Sequence, residues 1–356
     1  MSVDNLKRLR ACAITNSFFQ PTTLKAAIDR LGFVQADPIR SPARAQDLIL
    51  RHRVKDYRLG DLERRYPSLD IEEDYLYAYG FVSRETWGIL HPRQAVKLTA
   101  LEAKILKMVR KQGETHPRQL EKYFGSSRII NAWGGNSKTT THALDNLHYR
   151  GLLRIARRDN GIRVYEAAHP QPEPLPPAER LRKRILTIVN ILAPVPEKTL
   201  QTLTAPLLRR YFPGFGGARM VLSDMVRTGE IKKVTIGESC YFLPPVGMIA
   251  CEAPRRALFL TPFDPLVWDR RRFEHFWGWP YRFEAYTPPA KRLRGYYAMP
   301  LLWGDNIVGW ANANITGKHL NVELGFAAKR PDDKDFRLGL EAEICSLKKF
   351  LGLSTR

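Results

Sequence analysis

Gln35-Ala36-Asp37 sets an amide and a carboxylate two residues apart within Leu31-Gly32-Phe33-Val34-Gln35-Ala36-Asp37-Pro38-Ile39. In an extended segment, residues i and i+2 share a face. Gln35 and Asp37 then stand together, with Val34 and Ala36 packed behind. A carboxylate that holds a water, beside an amide that orients it, is the smallest set of groups able to hydrolyse an N-glycosidic bond. On DNA that chemistry is base excision. A plainer reading competes: Asp37 caps a helix that starts after Pro38, with the proline inside its first turn.

Lysine and arginine number 57 against 36 acids in the 356-residue chain, a formal net charge of +21. A surplus of this size attracts polyanions over long range and makes nucleic acid the expected partner, without choosing between DNA and RNA. Arg44, Arg51, His52 and Arg53 flank the Gln-x-Asp segment and are candidates to line a DNA channel; His52 also reads as a surface histidine. Further candidate phosphate contacts are Lys138, Thr139 and Thr140 at a helix start, Arg154, Arg157, Arg158 and Arg163 in a hairpin, Arg270, Arg271 and Arg272 after Trp268-Asp269, and Lys291-Arg292. Such positions add affinity and salt dependence rather than sequence choice. Each has a solvated-surface reading as well. Phe276, Trp277, Trp279, Tyr281 and Tyr286 could stack on bases, although their density favours a core. Trp268 reads as core, Asp264 as a turn cap and Asp269 as a brace for an arginine.

The four cysteines, Cys12, Cys240, Cys251 and Cys345, have no zinc-like spacing, so no metal and no cofactor is expected. Pro213-Gly214-Phe215-Gly216-Gly217 fits neither a P-loop nor a dinucleotide fingerprint and reads as a loop between helices. No apolar run approaches the roughly 20 residues of a membrane span. The segment Met1–Lys7 lacks an apolar signal core. A cytoplasmic, nucleoid-associated protein is the expectation.

The elements that would hold these groups can be read from periodicity. Thr99 and Glu102 make a capping box ahead of Leu101, Ile105, Met108 and Val109. A short helix over Pro117–Phe124 follows, then one from near Ser137 that carries Leu144 and Leu147 inward and stops at Gly151. Leu152–Arg158, the turn Asp159-Asn160-Gly161 and Ile162–Tyr165 read as a hairpin. Three helices and a hairpin make a winged helix. The pattern returns after the proline-rich linker His169–Pro177: Leu181, Ile185, Ile188, Val189 and Leu192 mark a helix, Leu222–Met225 through Val234 echo Leu144–Leu147 through Ile155, and Tyr241–Leu243 close a second wing. Helical patterns over Leu6–Phe18 and Thr23–Leu31, with a further helix after Asp37, suggest a divergent third copy. Beyond Arg256 the chain turns β-rich. Ala257–Leu260, Tyr281–Tyr286, Gly295–Met299 and Ile307–Trp310 read as strands, and a terminal helix as running from about Asp335 to Leu351. The expected class is α+β: tandem winged-helix (helix-turn-helix) domains and a C-terminal β-barrel-like domain. The expected division is 1–95 (with the Gln-x-Asp motif), 96–168, a linker at 169–179, 180–248, and 249–356.

Three blocks carry a family resemblance. Phe33-Val34-Gln35-Ala36-Asp37-Pro38-Ile39 with Ala43-Arg44-Ala45, Pro262-Phe263-Asp264-Pro265-Leu266-Val267-Trp268-Asp269-Arg270-Arg271-Arg272, and Tyr281-Arg282-Phe283-Glu284-Ala285-Tyr286-Thr287-Pro288 with Lys291-Arg292 and Gly295-Tyr296 together resemble the AlkZ/YcaQ-type winged-helix DNA glycosylases. The resemblance covers nearly the whole chain. It implies three winged-helix domains and a barrel around a basic channel, and monofunctional excision of N-alkylated bases, including unhooking of interstrand crosslinks. Gln-x-Asp places the chain in the YcaQ-like branch. Relatives there carry a Glu-Tyr-Trp-Ala-His-Glu stretch downstream, whereas Glu72–Phe81 here has no histidine.

On this reading Asp37 activates water and stabilises an oxocarbenium-like state while Gln35 holds the water or the nucleotide. The partner is double-stranded DNA with alkylated bases or crosslinks, and a monomer suffices. The alternative is a non-catalytic winged-helix DNA binder or transcription regulator, since fold does not set function.

Overall fold

The computed structural model describes residues 3–93, 97–130, 136–170, 173–212, 214–245 and 253–354. Cys251, Pro213, Gln171-Pro172 of the linker, and the expected boundaries at 95/96 and 248/249 lie outside the described residues. Among the described residues, no helix is long and apolar enough to cross a membrane.

The first unit begins with α1 (Val3–Ser17) and α2 (Leu24–Leu31). The Thr23 hydroxyl accepts from the Ala26 amide to start α2, and Gly32, at φ 68°, ends it in the left-handed region. The chain passes directly into β1 (Phe33–Gln35), then α3 (Ala45–Leu50), α4 (Asp61–Arg65), β2 (Ile71–Tyr75), β3 (Tyr79–Ser83) and α5 (Arg84–Leu90). The three strands form an antiparallel sheet in the order β1-β3-β2. Gln35 sits opposite Gly80. A Cβ at Gly80 would lie 2.3 Å from the Val34 carbonyl oxygen, so only glycine lets β1 approach β3 this closely.

The second unit has α6 (Ala100–Gln112), α7 (Pro117–Phe124), a short β4–β5 pair (Arg128–Ile130, Asn136–Lys138), α8 (Thr139–Tyr149) and the hairpin β6 (Leu153–Asp159) and β7 (Ile162–Ala167). The expected capping box forms, with both Thr99 and Glu102 hydrogen-bonded. Asn160 and Gly161, at φ 50° and 83°, make the tight turn their types allow. α8 starts at Thr139 rather than near Ser137 because Asn136–Lys138 pair as β5. The third unit has α9 (Pro177–Leu192), β8 (Val195–Pro196), α10 (Glu197–Tyr211), α11 (Ala218–Arg227), β9 (Lys232–Ile236) and β10 (Ser239–Leu243). Its sheet order, β8-β10-β9, repeats the scheme of the first unit. In the second unit a bridge from Thr115 to Tyr165 of β7 does the same with a single residue.

The C-terminal part has β11 (Ala257–Phe259), α12 (Pro265–Trp268), α13 (Arg270–Trp277), β12 (Met299–Trp303), β13 (Asn306–Thr316), β14 (His319–Phe326) and α14 (Lys334–Leu351). Here two expectations are corrected. The strands do not close into a barrel among the described residues; they form an open sheet in the order β11-β12-β13-β14. α14 lays Phe336, Leu340, Leu347 and Phe350 into the core shared with that sheet. Tyr281–Tyr286 and Gly295–Ala298 are also not strands. Tyr281 and Tyr297 pack singly into the interior around turns while Tyr286 and Tyr296 stay exposed, so the β-like composition does not reflect strand pairing.

The expected helix after Asp37 likewise begins only at Ala45. Asp37 and Ser41 each precede a proline, and a residue before proline is pushed out of the helical region. Residues 36–44 are therefore a non-helical approach to α3 that bends at Ser41–Ala43.

Three cores meet on the first unit. Val34, with α2 and α3, joins the core of the second unit and the C-terminal sheet. Phe33, with α5, joins the core of the third unit. α1 covers α12 and α13. Alternation along β1 thus seats the Gln-x-Asp segment where all parts of the chain converge.

Candidate active site

Val34 is buried and Ala36 packs partly buried behind it, as period-two alternation requires. The Ala36 amide donates to the Tyr79 carbonyl at 2.9 Å, carrying the ladder one step past β1. Asp37 follows. Its amide faces Gln46 Oε1 at 3.4 Å, and its Oδ1 accepts from the Ile39 amide at 2.9 Å. The helix-capping reading of Asp37 is thereby excluded: no helix starts there, and α3 has Arg44 at its N-cap with no side-chain cap bond. Among the described residues Asp37 Oδ2 has no hydrogen-bond donor. Asp37 is half-buried, and desolvation raises its pKa above the ordinary 3.8 despite the Ile39 amide.

Gln35 Oε1 is buried and makes no hydrogen bond among the described residues. Leaving such an acceptor unpaired costs about 1–3 kcal/mol, so a polar group lacking a partner stands two residues from the carboxylate. From the C-terminal part, the Tyr297 hydroxyl pairs with the Thr261 hydroxyl at 2.9 Å. Burial first, and then the Asp37 charge, raise its pKa, and Tyr297 belongs to the core cluster against which Ala36 packs. Phe283 meets the Tyr297 ring edge-to-face at 5.5 Å. Gln46 and Tyr297 were not singled out from sequence. Gln46 carries no local signal, and Tyr297 follows the Gly295-Tyr296 step that the resemblance marked.

The other expected site residues divide sharply. Several are corrections. Arg53 is fully buried and forms an ion pair with Asp264 at 2.9 Å while donating to Ser17 and Ile49. Asp264 also caps α12 by accepting from the Leu266 amide. Arg272 is buried and donates to the carbonyls of Leu192, Pro265 and Leu266. Arg51 pairs with Glu343 of α14 out of solvent. His52, read as a surface residue, is buried with Nε2 3.2 Å from the Phe259 carbonyl. Arg51, His52 and Arg53 join the first unit to the C-terminal part, Arg272 joins the C-terminal part to the end of α9, and none of them faces a polyanion.

The hairpin arginines are a second correction. Arg154 pairs with Glu72 at 3.0 Å and with Glu166. Arg158 pairs with Glu73 at 2.6 Å. Arg163 pairs with Asp145 at 3.1 Å and lies 4.3 Å over the Tyr79 ring. Their face of the hairpin is turned onto β2 and β3, because Glu72, Glu73 and Asp74 are all buried there and need cations. Asp74 is held by His91 at 2.6 Å and Arg93 at 2.7 Å. Only Arg157 stays exposed, beside Glu114 at 2.8 Å.

The remaining candidates range from exposed to core. Arg44, in the approach to α3, pairs with Glu63 at 3.1 Å. Lys138 pairs with Glu121 at 2.7 Å and, with Thr141, lines a groove of about 860 Å³ between α7, α8 and β7. Arg271 and Lys291 are exposed. Arg270 donates to the Pro262 carbonyl at 2.8 Å and stacks over Tyr281, and Arg292 donates to the Thr287 carbonyl at 2.8 Å. Trp268 packs against Tyr77 at 4.5 Å. Phe276, Trp279 and Tyr281 are core residues. Asp269 caps α13 through the Arg272 amide and accepts from the Thr199 hydroxyl; among the described residues it makes no ion pair with a guanidinium.

The segment offers one carboxylate with a free oxygen and, two residues before it, one unpaired amide acceptor, with the Tyr297 phenol in the core cluster behind Ala36. This set can bind a water and a sugar, but it supplies no strong acid. Residues 28–350 match a family model described as DNA glycosylase AlkZ-like.

Proposed function

Since the chain belongs to the AlkZ-like DNA glycosylase family, which carries a DNA glycosylase role and DNA as substrate, we propose that it excises N-alkylated purines from duplex DNA. Alkylation at N7 or N3 makes the base cationic. When the C1′–N bond breaks, its electron pair moves onto the base, which leaves neutral, so no acid catalyst is needed. Asp37 faces the positive charge that develops on the sugar, takes a proton from the attacking water, and returns it to solvent. Gln35 Oε1 accepts a hydrogen bond from that water or from the nucleotide. Cleavage stops at an abasic site, because no lysine or terminal amine takes part in this scheme. Crosslinked purines are N-alkylated too and fall within the same chemistry. The three helix-and-hairpin units act as winged helices that bend around the duplex, and the protein works as a monomer in the cytoplasm.

The observation that carries the proposal is the unpaired Gln35 acceptor two residues from a carboxylate with an open oxygen. Interior polar groups are usually completed by protein, water or ligand, and beside an open carboxylate a bound water or nucleotide supplies the missing donor. The test is incubation with a duplex holding one 7-methylguanine, followed by alkali. Strand scission that vanishes in Asp37→Asn supports the proposal. Binding without scission, on this and on a crosslinked duplex, replaces it with a DNA binder that does no chemistry.

A further inference from the structure

Residues 284–295 form a loop tied shut from inside. The buried Glu284 carboxylate accepts from the amides of Leu293 at 3.0 Å, Arg294 at 2.8 Å and Gly295 at 3.2 Å. The Thr287 amide donates back to the Glu284 carbonyl at 3.0 Å. Pro288 and Pro289 stiffen the crest, and Asn312 of β13 donates to the Arg294 carbonyl at 2.6 Å. A loop held this way loses little entropy when it binds.

Its crest is unusual in what it exposes. Tyr286 is 82% and Leu293 77% accessible, among the largest exposures of any big apolar side chain in the described residues. Lys291 and Arg292 lie between them. An apolar pair flanked by cations on a rigid support suits a base stack bordered by phosphates. The loop also adjoins the site. Tyr286 meets Phe283 at 6.1 Å, Phe283 meets Tyr297, and Tyr297 lies in the core cluster against which Ala36, the neighbour of Asp37, is packed.

We propose that the Glu284-tied loop is a wedge, in which Tyr286 and Leu293 enter the base stack next to the damaged nucleotide and open it toward Asp37. The inference rests on the glycosylase reading and extends it by naming the group that unstacks the DNA. Glu284 is a positioning residue; Tyr286 makes the contact.

The experiment uses the full chain and a duplex with 7-methylguanine beside 2-aminopurine, whose fluorescence rises on unstacking. Fluorescence is read at saturating protein on an Asp37→Asn background, and base release is measured with Asp37 intact. We expect the wild-type loop to give the rise. Tyr286→Ala should abolish it and slow base release at least tenfold with an unchanged melting temperature. Tyr286→Trp should restore both, and Glu284→Gln should lower both partially. An undiminished rise in Tyr286→Ala, or unchanged release where the wild type does release base, overturns the wedge. A Tyr286-dependent rise from a protein that releases no base leaves the wedge standing and removes the glycosylase reading instead.

Discussion

A carboxylate half-withdrawn from water is a better base than one in solvent, and Asp37 is in that state because burial raises its pKa above the ordinary 3.8. The base must be ionised to work, so the acid limb of kcat/KM for base release falls off at a higher pH than an exposed aspartate would give. A pH–rate profile on 7-methylguanine DNA checks this. Gln35 makes the complementary prediction. Its buried acceptor is unpaired in the free protein, so Gln35→Met should raise stability by about 1 kcal/mol while lowering base release. Denaturant melts and single-turnover rates measure the two sides. At this scale the sequence was informative: the Gln35 and Asp37 types and their spacing were visible, and Val34 and Ala36 do pack behind. The choice between a helix cap and an open carboxylate was not visible. It turned on where α3 begins, which Pro38 and Pro42 move downstream to Ala45.

Among the elements, the hairpin of β6 and β7 shows how a local pattern can be right while its use is misjudged. Asn160-Gly161 announced the turn, and the arginines were expected on phosphates. Instead Arg154 and Arg158 neutralise Glu72 and Glu73, some eighty positions away in the chain. A basic strand looks the same in sequence whether it faces DNA or a buried acid, because the deciding partner is distant. Removing Arg158 leaves a buried charge without its partner, so Arg158→Ala should cost about 3–5 kcal/mol of stability. Arg271→Ala, on an exposed side chain, should stay within about 0.5 kcal/mol. Equal, small losses for both in denaturant unfolding would contradict the inward face of this hairpin. The C-terminal aromatics misled in a similar way, since Tyr281 is buried by packing rather than by strand pairing.

For the whole molecule, the first unit is the hub on which three cores meet, and buried ion pairs fasten it to its neighbours. Asp74 carries a pH signature. Burial alone would raise its pKa, but Arg93 and His91 outweigh burial and hold it well below 3.8. A depressed folded pKa contributes stability that is complete above 3.8 and is lost as pH falls through the folded value. The stability gap between wild type and Asp74→Asn should therefore be widest near neutrality and narrow in acid, which melts across pH would show. Not all of the +21 charge faces DNA, since Arg53 and Arg272 are interior. The salt dependence of duplex binding should follow the exposed cations instead. The double variant Lys291→Ala, Arg292→Ala should lower the slope of log K against log salt by about 2. Composition announced a polyanion partner, but only packing separates the cations that meet it from those that hold the fold.

If the Asp37 carboxylate does the chemistry, its loss must show in the single-turnover release of free 7-methylguanine by wild type and Asp37→Asn, with duplex affinity measured on the same samples. The expected result is release slowed by at least about 10²-fold at unchanged affinity. Equal release rates for the two proteins would contradict it.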